Sequence, residues 1–461
     1  MSAQVSGKTP FGRQMREKHF DLDPTYRPLN HGSFGTYPLQ VKAAYRRYQE
    51  ENESRPDYFY YRIRPARIYE ARQAIASLLH ADVKDCVFVK NATTGVNIAL
   101  RNLEYESGDV IVYFATVYGA VWKTMVSLQE TTPVQARKVE YALPLTHDEI
   151  VQRFLDVVNK ARAEGLKVRA AVFETITSVP GVRFPFEKLT RICKDEGILS
   201  VIDGAHGVGQ IPLNLGELDP DFFVSNCHKW LYTPRGCAVF YVSKRTQHLI
   251  KTSFPTSHGY ILPQDRANPP IAKGETPFEH LFDFVGTNDD APYMCVPEAL
   301  KFRKEVCGGE DAIMEFCQRI AHEGAEVVAR ILGTEIMREP GVTDLKQSDL
   351  CRCAMVNVRT PLAVANDAVN PHVPDPSTSP YPAIDRKDVR KVQDWMQSQL
   401  LDKYNGFAKF DPQSGWLWIR LSGQIYLELE DFEWLGNVAK ELCERVGKGE
   451  WKSDEKDLST F

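Results

Sequence analysis

A chain of 461 residues can bury a large core and leaves room for two to four domains. Its 43% hydrophobic and 25% charged residues are ordinary for a globular protein, and no apolar run reaches a membrane-helix length of roughly 18 to 20 residues. A net charge of -5 provides no basic field for nucleic acid, residues 1–30 hold no apolar signal-peptide stretch, and the ten cysteines follow no disulfide or metal spacing, so a reducing, cytoplasmic location without metal is expected.

In chain order, residues 1–45 read as an extended arm and a helix, broken by the loop Asn30-His31-Gly32-Ser33-Phe34-Gly35. An aromatic run follows with Tyr58, Tyr60, Tyr61 and Arg62, whose role the pattern leaves open. Short apolar β-rich runs at 87–90, 110–114, 170–174, 199–203, 222–225 and 238–242 predict strands, with helices between them at 94–102, 148–164 and 186–196. Continuous apolar strands alternating with helices imply an α/β domain whose mostly parallel sheet is covered on both faces. Past 296 the pattern turns to helices at 297–306 and 311–331, strands near 352–358 and 406–420, and helices at 386–404 and 429–446. We therefore divide the chain into an arm (1–45), a large domain (46–295) and a smaller α+β domain (296–461). A proline-rich excursion at 361–384 in the last is a surface loop or a lid. Cys351 and Cys353 fall in the strand expected near 352–358, as core thiols.

The polar motifs collect at the carboxyl ends of the predicted strands, where parallel sheets bind ligands. Asn91-Ala92-Thr93-Thr94-Gly95-Val96-Asn97 opens a helix, and its small residues and hydroxyls suit a phosphate, although Asn and Thr are also ordinary caps. Asp203 closes Ser200-Val201-Ile202-Asp203-Gly204-Ala205-His206, and a buried carboxylate there needs either a cation or a helix to cap. Lys229, in Ser225-Asn226-Cys227-His228-Lys229-Trp230, follows a buried strand where desolvation favours the free amine that a Schiff base requires. His228, with Asn226 or Ser225, is placed to bind a phosphate. Arg420, in Trp416-Leu417-Trp418-Ile419-Arg420-Leu421-Ser422, must meet an anion, either a substrate carboxylate or a structural partner. Together, Asp203 for a protonated pyridine nitrogen and Lys229 for an aldehyde suggest pyridoxal 5′-phosphate (PLP).

From Asn30-His31-Gly32-Ser33-Phe34-Gly35 to Arg420-Leu421-Ser422-Gly423-Gln424, the motifs resemble the class V aminotransferase-like branch of the fold-type I PLP enzymes. Within it the chain is similar to the fungal loline-alkaloid PLP enzymes, the ergothioneine C–S lyases and isopenicillin N epimerase-like proteins. The resemblance implies a seven-stranded, mostly parallel sheet and a homodimer with shared active sites. It assigns Lys229 to the Schiff base and Asp203 to the pyridinium, Thr93, Thr94, Asn226 and His228 to the phosphate, and Tyr118 to ring stacking. His206 and Ser178 would lie by the phenolic oxygen, Thr287 by the neighbouring subunit's phosphate, and Arg420 with His31 and Gly32 by the substrate carboxylate.

The lyase reading implies a cysteine after the ring-stacking tyrosine, yet Tyr118-Gly119-Ala120 leads into Val121 and Trp122 and no cysteine occurs between Cys86 and Cys193. Bulky Val121 and Trp122 suit a drier pocket. The expected reaction is therefore carbanion chemistry at the Cα of an amino acid, ending in a Mannich-type ring closure. A C–S β-lyase or epimerase is the alternative. A PLP-fold binding protein without catalysis would need none of Lys229, Asp203 and Arg420.

Overall fold

The computed structural model describes residues 8–452. Its central sheet has seven strands: β1 (Cys86–Val89), β2 (Asp109–Phe114), β3 (Gln135–Val139), β4 (Lys167–Glu174), β5 (Leu199–Asp203), β6 (Phe222–Asn226) and β7 (Ala238–Val242). They lie in the order β1-β7-β6-β5-β4-β2-β3. Neighbours from β6 to β3 are parallel, while β7 runs antiparallel to both β6 and β1. Residue alternation splits each strand between two cores. Ala170 and Val172 pack with Val96, Val121 and Met125 on one face, whereas Ala171 and Phe173 pack with Ile150, Phe154 and Leu189 on the other.

The edge strand β3 was not expected from the sequence. Its Gln-Ala-Arg-Lys-Val is largely solvent-facing and pairs only with β2, so it lacks the apolar run that marked the others.

A second sheet joins β8 (Met355–Ala365), β9 (Ile384–Asp385), β10 (Lys409–Gln413) and β11 (Trp416–Ser422) in the order β10-β11-β8-β9. The single strand expected over 406–420 is a hairpin, turned at Ser414 and Gly415 with φ of 52° and 81°. The excursion begins later than 361. Pro361 lies inside β8, where the pairing to β11 shifts register and no ladder bond is required of it. Beyond β8 the excursion is docked: the Asn370 amide donates to the carbonyls of Ala142 and Pro144 at 2.7 and 2.9 Å, and the Trp416 indole to that of Pro374 at 2.8 Å. Cys351 and Cys353 precede β8 in a turn rather than a strand, yet both are buried. No helix among the described residues is long and apolar enough to cross a membrane.

Candidate active site

The sheet delivers its chemistry through the last residues of its strands. Asp203 ends β5, and no helix follows it: residues 204–211 form turns, so the helix-cap alternative falls. Its carboxylate is 3% exposed and accepts from Ala205 N–H at 3.0 Å. Among the described residues it forms no ion pair, although burial raises its pKa and Lys229 opposes that rise. A buried carboxylate with a backbone N–H on one side and no bound cation fits the protonated ring nitrogen of PLP.

Lys229 lies in the connection from β6 to β7, within the helical turn Cys227–Trp230. Burial, then the Arg420 guanidinium, pull its amine down to about 8, with Asp203 and Glu174 opposing. Its Nζ lies 3.2 Å from Nε2 of buried His206, whose Nδ1 accepts from the Trp230 indole at 3.2 Å. The indole only donates, so a neutral imidazole must carry its proton on Nε2. That N–H needs a lone pair opposite it. An ammonium has none, so the contact selects the free amine of Lys229, while burial and Lys229 keep His206 neutral by lowering its pKa far below the ordinary value.

The proposed phosphate end is built by β1 and β6. Helix Ala92–Asn102 starts right after β1, capped by Asn91, which accepts from Thr94 N–H at 2.9 Å and from its hydroxyl at 3.0 Å. Asn226 ties β6 to this terminus by accepting from Ala92 N–H at 2.9 Å, and Thr93 is partly exposed beside it. His228 donates from Nδ1 to the Cys237 carbonyl at 2.9 Å, which leaves Nε2 for an anion's proton. Ser225 is no phosphate ligand. Its buried hydroxyl donates to Gly204 O and accepts from Val208 N–H.

Arg420, on β11, is 3% exposed and forms no ion pair among the described residues, so the structural salt bridge is absent. Its neutral partners are Ser178 O at 2.6 Å, Asn30 Oδ1 at 2.7 Å and Ser33 Oγ at 2.9 Å, and its Nε–H is buried without a partner. Burial lowers its pKa to about 10. A desolvated guanidinium with an unspent N–H suits a carboxylate ligand. Ser178 thus meets Arg420 through its carbonyl.

Residues 30–35 tie the two sheets together. His31 donates from Nε2 to the Lys229 carbonyl at 2.6 Å and accepts at Nδ1 from Tyr426 O–H at 2.8 Å. Gly32 packs so closely that a Cβ would lie 2.9 Å from Met355 Sδ and 3.4 Å from Trp230. Asn30, Ser33, Trp230 and Tyr426 were not singled out from the sequence. The available signal was that a buried Trp or Tyr needs a partner for its N–H or O–H.

Tyr118 precedes helix Gly119–Thr131 and is 48% exposed, leaving its ring a face to offer. The expectation for Val121 is corrected: it is 1% exposed in the core beside the sheet, and only Trp122 is presented outward. Thr287 shares a cleft of about 240 Å³ with Lys90 and Thr94 of its own chain. Nearby, Phe59–Ile63 form a π-helical turn in which Tyr60 O–H donates to Asn288 O at 2.8 Å, while Tyr61 is exposed. All ten cysteines are buried, and burial pushes Cys351 and Cys353 up to about 12 and about 11, so neither is a reactive thiolate.

The family model for aminotransferase class V matches residues 40–260. The L-cysteine desulfhydrase-like protein lolT2 of Epichloe uncinata is 42% identical over 96% of this chain and 96% of its own. The hercynylcysteine sulfoxide lyase of Schizosaccharomyces pombe is 32% identical over 94% of this chain and 98% of its own. Among solved structures, C-DES with glycine covalently linked to its PLP cofactor aligns with TM-score 0.66 at 15% identity, covering 90% of this chain and 97% of that one, a likeness of fold. With Lys229, Asp203 and Arg420 assembled at the carboxyl edge of such a sheet, this chain belongs to the aminotransferase class-V family of PLP-dependent enzymes.

Proposed function

We propose that this enzyme removes the Cα proton of an amino acid and closes a ring by a Mannich-type step, giving a heterocyclic α,α-disubstituted amino acid of the kind used in alkaloid biosynthesis. Bound at Asp203 and Lys229, PLP supplies an electron-withdrawing ring that stabilises negative charge at Cα. Arg420 fixes the substrate carboxylate, which limits the orientations of the Cα–H bond. Lys229, held as a free amine against His206 Nε2–H, accepts that proton. The electron pair left at Cα then forms a bond to the carbon of an imine within the same substrate. The imine nitrogen takes up the proton that Lys229 received as the new Cα–C bond forms, which returns the free amine.

The observation that carries this reading is a site without a thiol acid. Val121 and Trp122 follow Tyr118-Gly119-Ala120, and all ten cysteines are buried. Expulsion of a sulfur leaving group would proceed without thiol assistance, whereas carbon–carbon bond formation requires none. The names of the relatives lean the other way: lolT2, at 42% identity, is an L-cysteine desulfhydrase-like protein, and at 32% stands the hercynylcysteine sulfoxide lyase. That lyase's similarity favours a second reading, β-elimination from an S-substituted cysteine or its sulfoxide.

Product analysis by mass spectrometry separates the two. PLP-loaded enzyme is given diamino acids with an added aldehyde and, separately, S-substituted cysteines and their sulfoxides. A cyclic α,α-disubstituted amino acid from the first set supports ring closure. Pyruvate from the second set alone overturns it in favour of the lyase.

A further inference from the structure

One buried acid at the edge of this site takes no part in the chemistry so far. Glu174 is the last residue of β4, and the parallel register sets it directly opposite Asp203, the last residue of β5. Residues opposite one another on neighbouring strands share a face, so both carboxyls leave the sheet on the same side. Glu174 is 4% exposed, and among the described residues it forms no ion pair.

Its neighbours follow the strand order β5-β4-β2-β3. On one side stands Asp203, with Lys229 beyond it. On the other, from the loop after β2, the Thr116 hydroxyl and the Tyr118 backbone N–H face its carboxyl. Thr116 Oγ1 in turn bonds Tyr141 O–H at 2.6 Å, in the loop after β3. A row of hydrogen-bonding groups therefore runs across the carboxyl edge of the sheet, from Asp203 to the residue that precedes helix Gly119–Thr131.

We propose that Glu174 is a positioning residue of this site: held as a neutral carboxylic acid beside Asp203, it fixes residues 116–118, and with them the Tyr118 ring, while leaving the negative charge of the pair on Asp203. Two buried carboxylates on adjacent strand ends cannot both ionise when, among the described residues, the single Lys229 amine is the one cationic group acting on both. Asp203 keeps the charge because it has the Ala205 N–H on one oxygen and is the acid on the side of Lys229. Burial and the Asp203 charge both hold the proton on Glu174. A neutral acid can donate as well as accept, so Glu174 can hold the Thr116 hydroxyl and the Tyr118 N–H beside Asp203 without importing a second charge. The inference rests on PLP use by this fold and is independent of whether the enzyme is a cyclase or a lyase.

Infrared spectroscopy of cofactor-free protein at pH 7 tests the protonation. Native minus Glu174→Gln is expected to show the C=O stretch of a protonated carboxyl, and its absence would overturn the proposal. Reconstitution with PLP, followed by absorbance and by the circular dichroism of the bound chromophore, tests the positioning. Glu174→Gln, which mimics the neutral acid, is expected to keep the native dissociation constant within about twofold. Glu174→Met, similar in volume but without hydrogen bonds, is expected to weaken it about tenfold and to alter the dichroism. A native-like Glu174→Met refutes the role. Should Glu174→Met not fold, Thr116→Val, which removes the hydroxyl facing the acid, must produce the same change in dichroism for the proposal to stand.

Discussion

With the Trp230 indole on His206 Nδ1, the imidazole has only Nε2 left for its proton, and that constraint reaches Lys229 through a single contact. Trp230→Phe keeps an aromatic ring but removes the donor, so His206 can adopt the other tautomer and accept from an ammonium. Lys229 is then expected to hold its proton to higher pH, moving the acidic limb of the kcat–pH profile up by about one unit, the worth of one hydrogen bond. An unmoved limb would show that burial alone sets the amine. The same lysine loads the cofactor-free protein with a pH-dependent cost. Unfolded, it keeps its proton to the ordinary 10.5; folded, only to about 8. Between these values the unfolded chain binds more protons, so stability rises with pH across that window, while below it the whole penalty of burying the cation applies. Lys229→Met is therefore expected to be more stable than the native apoprotein at pH 7, by on the order of 1 kcal/mol or more, with the difference fading as pH approaches 10.5. Urea unfolding at both ends of the range measures it, and a pH-independent difference would contradict the assignment.

Among elements, residues 30–35 form a short one with a wide reach, since His31 grips the turn carrying Lys229 while Asn30 and Ser33 grip the strand carrying Arg420. Gly35 makes the approach possible: at φ +64°, a Cβ would lie 1.9 Å from the His228 carbonyl. Gly35→Ala must push this loop off the Lys229 turn and is expected to weaken PLP binding at least tenfold, beyond the roughly 1–2 kcal/mol of left-handed strain alone. Gly108→Ala, at φ +93° with nothing within 4 Å, carries the strain without the clash and serves as the comparison. Equal PLP affinity in both variants would remove the loop from the site. This element also marks where the sequence stops being legible. The strands β4 to β7 showed in the chain because burial on both faces leaves continuous apolar runs, and Asp203 and Lys229 showed because charge at the end of such a run demands a reason. Edge strand β3 and the split of 406–420 at Ser414-Gly415 left weaker marks, a polar edge and a two-residue turn. Asn30, Ser33 and Trp230 act through partners in space, and no local pattern distinguishes an asparagine that holds a distant arginine from one in an ordinary loop.

At the scale of the whole molecule, exposed aromatics such as Tyr58, Tyr61, Tyr118 and Trp122 leave apolar area open on the single chain. We propose a homodimer in which Thr287 serves the neighbouring site, while in one chain it shares a cleft with that chain's own Thr94. Mixing a Lys229→Ala protein with a Thr287→Val protein after mild dissociation decides which. Recovered activity means that one subunit completes the other, and none means that Thr287 serves its own chain. The loop at 30–35 has a further consequence, in the order in which the chain is made. Asn30 leaves the ribosome 390 residues before its partner Arg420. At about 5–20 residues per second that interval lasts roughly 20 to 80 seconds. In its later part, once β7 has emerged, the large sheet can form and expose Lys229 before Arg420 has been made, so a product that stops short of β11 would display Lys229 on an open surface and never close the site around it.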